Sequence, residues 1–173
     1  MNNNSVDFFK ENKFTLPEGS LHPILVAWKL RTPQNYGNLL RLADNLGCYK
    51  VLFVKSTGEV CDRKIKKTAR QSWDQIDFEF IGEEEIHQKI PSNYQWVALE
   101  TAENAKNIFT SALPNNLALI VGNEKGGIPE NIINHCQSVV FIPLTGECTS
   151  LNVTHATAIA LFEWLRQQLF GKE

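Results

Sequence analysis

Val140-Phe141-Ile142-Pro143-Leu144-Thr145-Gly146-Glu147-Cys148-Thr149-Ser150-Leu151-Asn152-Val153-Thr154-His155-Ala156 is the stretch around which the chain is organised. It reads as an apolar strand, a loop rich in proline, glycine and threonine, and a Ser-Leu-Asn step into a long helix over 152–169. So polar a loop between two such apolar elements is more than a surface connection, and chemistry is expected there. The helix is apolar on nearly all sides through Val153, Ala156, Ala158, Ile159, Ala160, Leu161, Phe162, Trp164 and Leu165. Such a helix must be covered all round, and a second copy of the chain is the simplest cover. A homodimer through this helix is expected.

Working outward, β-branched and aromatic runs predict strands at 23–30, 50–55, 76–81, 95–99, 117–121 and 138–142. Several are apolar continuously, as strands are when helices cover both faces of a sheet. Strand and helix alternate, so the fold class is α/β, with a mainly parallel six-stranded sheet and helices on both faces. At 173 residues, with 43% hydrophobic and 21% charged residues, the chain fits a single globular domain over 1–173. Residues 1–20 are expected to form a partly ordered extension. Their Met1-Asn2-Asn3-Asn4-Ser5 start lacks the basic and apolar regions of a secretory signal.

No apolar run is long enough for a membrane span. Cys48, Cys61, Cys136 and Cys148 form no CxxC pair, and His22, His87, His135 and His155 are equally scattered, so no metal site is expected. The cysteines are expected to be reduced and mostly buried, in keeping with a cytoplasmic protein. A net charge of −2 argues against indiscriminate nucleic-acid binding but leaves room for a local basic patch.

That patch is legible at 62–71, where Arg63, Lys64, Lys66, Lys67 and Arg70 crowd one segment and 63, 66, 67 and 70 share a helix face. It suits nucleic-acid phosphates; a solvated helix face is the alternative. An earlier helix follows Thr32-Pro33-Gln34-Asn35, with Asn35 as its N-cap, Leu39, Leu42, Ala43 and Leu46 as its core stripe, and Gly47 as its stop. Gly37 and Arg41 share the opposite face, where a ligand could come close. A third stretch, Leu117 to Pro129, runs a buried strand into a glycine-rich turn. It is neither a Walker A loop nor GxGxxG.

Three blocks therefore stand in order: Asn35-Tyr36-Gly37-Asn38-Leu39-Leu40-Arg41, then Val121-Gly122-Asn123-Glu124-Lys125-Gly126-Gly127-Ile128-Pro129, then Ile142-Pro143-Leu144 with Ser150-Leu151-Asn152-Val153. Together they resemble the three motifs of the SpoU (TrmH-like) RNA ribose methyltransferases of the SPOUT superfamily, over residues 22–168. The resemblance implies an α/β domain with a C-terminal deep trefoil knot that binds S-adenosyl-L-methionine. It also implies a homodimer with the active site near its interface, and methylation of a ribose 2′-hydroxyl in structured RNA.

By position, the resemblance gives Gly122 and the backbone around Ile142 and Leu144 to the adenosine. Leu151 closes over it, and Leu99, Glu100 and Thr101 form the remaining wall. Asn35, Arg41, Glu124, Ser150 and Asn152 match the polar positions associated with catalysis. A guanidinium keeps its proton at ordinary pH. Arg41 is therefore expected to grip a phosphate and stabilise the developing alkoxide, while a phosphate oxygen or Glu124 takes the proton.

Other roles stand beside these. Asn35 and Asn152 could be plain helix caps, and Glu124 could satisfy backbone N–H groups of its turn. His155 reads as a packed helix residue rather than a base. The compact chain and its basic run favour tRNA over rRNA by resemblance to short relatives. A non-catalytic RNA-binding dimer of the same fold, or an unrelated α/β enzyme holding nucleotide phosphates at Gly122–Gly127, are the rival readings.

Overall fold

Successive side chains of β1 (Ile24–Trp28) enter two different cores, and all five residues are buried. Leu25 and Ala27 face one cluster; Ile24, Val26 and Trp28 face the other. This is why the run is apolar without alternation: helices cover both sheet faces. The computed structural model describes residues 5–12, 15–55, 61–123 and 125–171.

The other strands are β2 (Lys50–Val54), β3 (Phe78–Ile81), β4 (Gln95–Leu99), β5 (Lys106–Asn107), β6 (Leu117–Val121) and β7 (Ser138–Phe141). They form one sheet in the order β3-β2-β1-β6-β4-β7-β5, and every pairing is parallel. The helices are α1 (Ser5–Glu11), α2 (Pro33–Asn45), α3 (Asp62–Ala69), α4 (Ser72–Gln75), α5 (Ile86–Lys89), α6 (Glu130–Ile133) and α7 (Val153–Phe170). One core contains Leu39 and Ala43 of α2, Ile65 of α3, and Leu161 and Trp164 of α7. The opposite core contains Ile86 of α5 and Ile132 of α6.

The sheet has one more strand than expected. β5 is a two-residue edge strand, Lys106 and Asn107 pairing with Val140 and Phe141, and two polar residues carry no periodic signal. β1 stops at Trp28 rather than position 30 because Lys29 turns to a φ of 46°. β3 starts at Phe78 rather than 76 because Ile76 still closes α4, its N–H donating to the Ser72 carbonyl at 3.2 Å.

The start of α2 also differs. Thr32 is the N-cap residue and Pro33 takes the first helical position, where its missing N–H costs nothing. Asn35 therefore lies inside the first turn, buried to 5% exposure. The far end is as expected. Gly47, at φ 61°, donates to the Asp44 carbonyl at 3.1 Å, and Cys48 N–H donates to Ala43 at 2.8 Å, a Schellman closure.

Gly37 is buried rather than open to a ligand. A Cβ there would lie 2.5 Å from Thr68 Cβ and 2.8 Å from the Ile65 carbonyl oxygen. The missing side chain lets α2 and α3 meet backbone to backbone. α3 ends at Ala69, and Arg70 leaves the helix with φ 56°, so it does not share a helix face with Arg63, Lys66 and Lys67. All five cations are exposed.

α7 is not apolar on every buried side. Gln167 accepts from Leu113 N–H at 2.8 Å and donates to the Ser111 carbonyl at 3.0 Å, while Trp164 Nε1 donates to the Pro114 carbonyl at 2.9 Å. Phe162 remains 56% exposed, and His155 is exposed rather than packed. Only Cys48 is fully buried, and burial pushes its thiol up to about 12; Cys61 and Cys148 are exposed, and all four cysteines are free.

Gly37→Ala should destabilise the fold by about 1–3 kcal/mol, because the new methyl meets backbone that cannot swing aside. Urea unfolding of the two proteins measures this directly. An unchanged midpoint would show that the α2–α3 contact is looser than drawn.

Candidate active site

The carboxyl ends of β4, β6 and β7 point to one edge of the sheet and enclose a cavity of about 310 Å³. In an open parallel sheet this edge is where ligands bind. β4 contributes Leu99, with Glu100 and Thr101 just beyond it. β6 contributes Val121, followed by Gly122, Asn123, Lys125 and Gly127. Beyond β7 come Ile142, Leu144, Thr149, Ser150 and Leu151, and the first turns of α7 add Val153 and Ala156.

All seven positions expected to hold a cofactor, Leu99, Glu100, Thr101, Gly122, Ile142, Leu144 and Leu151, line this one cavity. Leu144 and Leu151 are 40% and 39% exposed, apolar side chains left facing open space at its mouth. Ser150 lines it too. Val121, Asn123, Lys125, Gly127, Phe141, Thr149, Val153 and Ala156 complete it, and none of them was among the cofactor or catalytic positions expected from the sequence. The Asn-x-Lys-Gly spacing could have marked Asn123, whose Oδ1 accepts from Lys125 N–H at 2.9 Å and Gly126 N–H at 2.8 Å.

The loop after β6 is tightly folded. Gly127 N–H donates to the Asn123 carbonyl at 3.1 Å. A Cβ on Gly122 would lie 2.7 Å from Gly127 Cα and 2.8 Å from Ile128 N. Only a bare Cα fits there, a steric reason for glycine at 122 that is independent of any ligand.

Asn152 is the N-cap of α7: its Oδ1 accepts from Thr154 N–H at 2.8 Å and from Thr154 Oγ1 at 2.6 Å. With both acceptor sites used, its Nδ2 faces Asn35 Oδ1 at 3.4 Å. This bond joins α2 to α7 across 117 positions of sequence. Arg41, exposed on α2, has no hydrogen-bond or ion-pair partner among the described residues and does not line the cavity. Glu124 lies outside the described residues. None of Arg63, Lys64, Lys66, Lys67 and Arg70 lines the cavity; Lys66 lies 3.8 Å from Asp74 and 5.8 Å from the Trp73 ring centroid. Among the described residues no cluster of three His, Cys, Asp or Glu side chains could hold a metal, and no helix is long and apolar enough to cross a membrane.

A family model, that of the SpoU rRNA Methylase family, matches residues 22–162. The chain belongs to this family. It is 31% identical over 150 residues to the 23S rRNA (guanosine-2′-O-)-methyltransferase RlmB of Haemophilus ducreyi, covering 84% of this chain and 60% of that protein. The chain thus spans about 60% of the length of the curated relatives it matches. Among solved structures, an AdoMet-bound rRNA methyltransferase from Sinorhizobium meliloti superposes with a TM-score of 0.78 at 26% identity, over 91% of this chain and 59% of that one. An RNA 2′-O ribose methyltransferase superposes at 0.76 with 30% identity, over 91% and 62%. The SpoU fold accounts for the parallel sheet and for the gathering of the three sequence blocks at one edge.

Asn152→Ala should cost about 1 kcal/mol through the lost cap, a fall of a few degrees in melting temperature. Asn152→Asp keeps the acceptor for Thr154 but loses the Nδ2 donor to Asn35, so it should melt between Asn152→Ala and the parent. If both variants melt like the parent, the cap contributes nothing.

Proposed function

We propose that this SpoU-family chain is an S-adenosylmethionine-dependent RNA 2′-O-ribose methyltransferase acting as a homodimer. One observation carries the reading: the cavity at the strand ends gathers every position that the family motifs assign to the cofactor, with Ser150 on its rim. Its make-up suits a nucleoside thioether. Apolar walls from Leu99, Val121, Ile142, Leu144 and Leu151 could take the adenine, and Gly122 and Gly127 also line the cavity.

The curated relatives are named for guanosine in 23S rRNA, so large-subunit rRNA is the substrate class we favour. The tRNA preference expected from the short chain finds no support in them. Exposed Phe162, with half-buried Ala158 and Ile159 on α7, offers the apolar face for a second copy. Arg63, Lys64, Lys66, Lys67 and Arg70 would meet RNA phosphates, and the protein would work in the cytoplasm, where its RNA resides.

When bound, the cofactor supplies an electrophilic methyl group. The residues of the chain must then place a ribose hydroxyl in line with it and remove the hydroxyl proton. Arg41, always cationic, grips the phosphate beside the target ribose and stabilises the alkoxide as it forms. The proton passes to a phosphate oxygen or to Glu124. Asn152, its amide oriented by Thr154, holds Asn35, and the pair fixes the start of α2 relative to the loop carrying Ser150. Ser150 and Asn152 contact the target nucleotide.

Incubation with labelled S-adenosylmethionine and purified rRNA or tRNA, followed by nucleoside mass spectrometry, should reveal a 2′-O-methylated nucleotide in large-subunit rRNA. Arg41→Ala should lower kcat by about 100-fold or more, and Arg41→Lys should recover little, since lysine lacks the bidentate fork. Near-parent turnover of Arg41→Lys would sink the role given to the fork. Label only in tRNA would replace the substrate class, and no ribose methylation in any RNA would overturn the enzyme reading.

A further inference from the structure

The carboxylate of Glu100 is turned toward the protein. Its Oε1 accepts from the Thr101 N–H at 2.9 Å, and its Oε2 accepts from the Ile128 N–H at 3.0 Å. The second bond crosses from the end of β4 to the returning limb of the loop after β6. That limb is confined from both sides. Gly127, at φ 61°, places its bare Cα against Glu100, where a Cβ would lie 3.2 Å from the carboxyl carbon. On its other side the backbone of Gly127 and Ile128 presses on Gly122.

We propose that Glu100 is a positioning residue: its carboxylate ties the Gly127–Ile128 limb to β4 and so fixes the loop wall of the cofactor cavity. This rests on the cofactor reading of that cavity, but gives Glu100 a different role from the one implied by the family resemblance, which makes it part of the ligand's wall. The chemistry favours a carboxylate. Two backbone N–H groups from different segments each need an acceptor, and a carboxylate offers two oxygens with no donor. The bonds are charge-assisted. Glutamine has the same shape but one oxygen, so one of the two N–H groups would face an NH2 group. The tie also explains Gly127, since any side chain there would meet both the carboxylate and a left-handed backbone.

The test uses Glu100→Gln in the full chain, with S-adenosylhomocysteine binding measured by calorimetry and amide exchange at Ile128 measured in ligand-free protein. The tie predicts binding weakened about 10-fold, roughly 1.4 kcal/mol, together with Ile128 exchange about 10-fold faster before any ligand is added. Gly127→Ala approaches the contact from the other side and should show both effects. The double variant should lose less than the sum, because the two changes disturb one contact. Weaker binding with unchanged exchange in the free protein would make Glu100 a ligand contact and overturn the inference. Parent-like values for both measurements would overturn it as well. If the parent itself fails to bind S-adenosylhomocysteine, the cofactor reading falls, and the exchange rate at Ile128 still decides whether the tie exists.

Discussion

Every strand pair in this sheet is parallel, and the location of the site follows from that constraint. Parallel strands need crossover connections, so every strand ends at the same edge and every return segment lies on a face. The segments leaving β4, β6 and β7 therefore converge without any sequence signal of their own. β4 and β7 are adjacent, and β6 lies on the other side of β4, so three exits meet around one strand end. α2 leaves β1 from that edge and α7 starts beside it. This is how Asn35 and Asn152, far apart in sequence, come to within 3.4 Å.

Crowding is the second constraint. Between Gly122 and Glu100 the loop after β6 passes through a gap too narrow for a side chain at 122 or 127. A loop held this closely loses little further entropy when a ligand settles against it, which favours affinity. Three of its N–H groups find side-chain acceptors, those of Lys125 and Gly126 on Asn123 and that of Ile128 on Glu100. Gly122 serves backbone proximity and Gly127 makes room for the Glu100 carboxylate, whereas a Cβ on Gly126 would meet nothing closer than 3.7 Å.

The strands were legible because both faces of the sheet are dry, so apolar runs such as Ile24–Trp28 and Leu117–Val121 admit little else. β5 was not, since a strand of two polar residues leaves no pattern. The seven cavity positions came from motif resemblance; no periodicity links Leu99 to Leu151. Where local rules misled, the cause was tertiary or a competing local rule. Asn35 looked like a cap, but Pro33 is suited to the first helical position and moved the helix start upstream. Gly37 looked like an opening toward ligand, yet its reason is Thr68, thirty-one positions away. Arg70 seemed to extend a basic helix face, but the chain turns at that residue with a left-handed φ usually left to glycine.

Arg41 bears on how the site is completed. It is exposed on α2, one turn beyond the glycine that seats α2 on α3, and it does not line the cavity of its own chain. The Asn35–Asn152 bond fixes where α2 starts, and the Gly37 contact fixes how it lies, so the helix has little freedom to carry Arg41 inward. If Arg41 acts at the reacting ribose as we propose, it would be met by RNA laid across α2, or by the cavity of a second copy. The exposed Phe162 on α7, the helix that borders the cavity, favours the second copy. Methyl donor and activating cation would then be held by different chains, and a lone chain would bind its cofactor while leaving the hydroxyl unactivated.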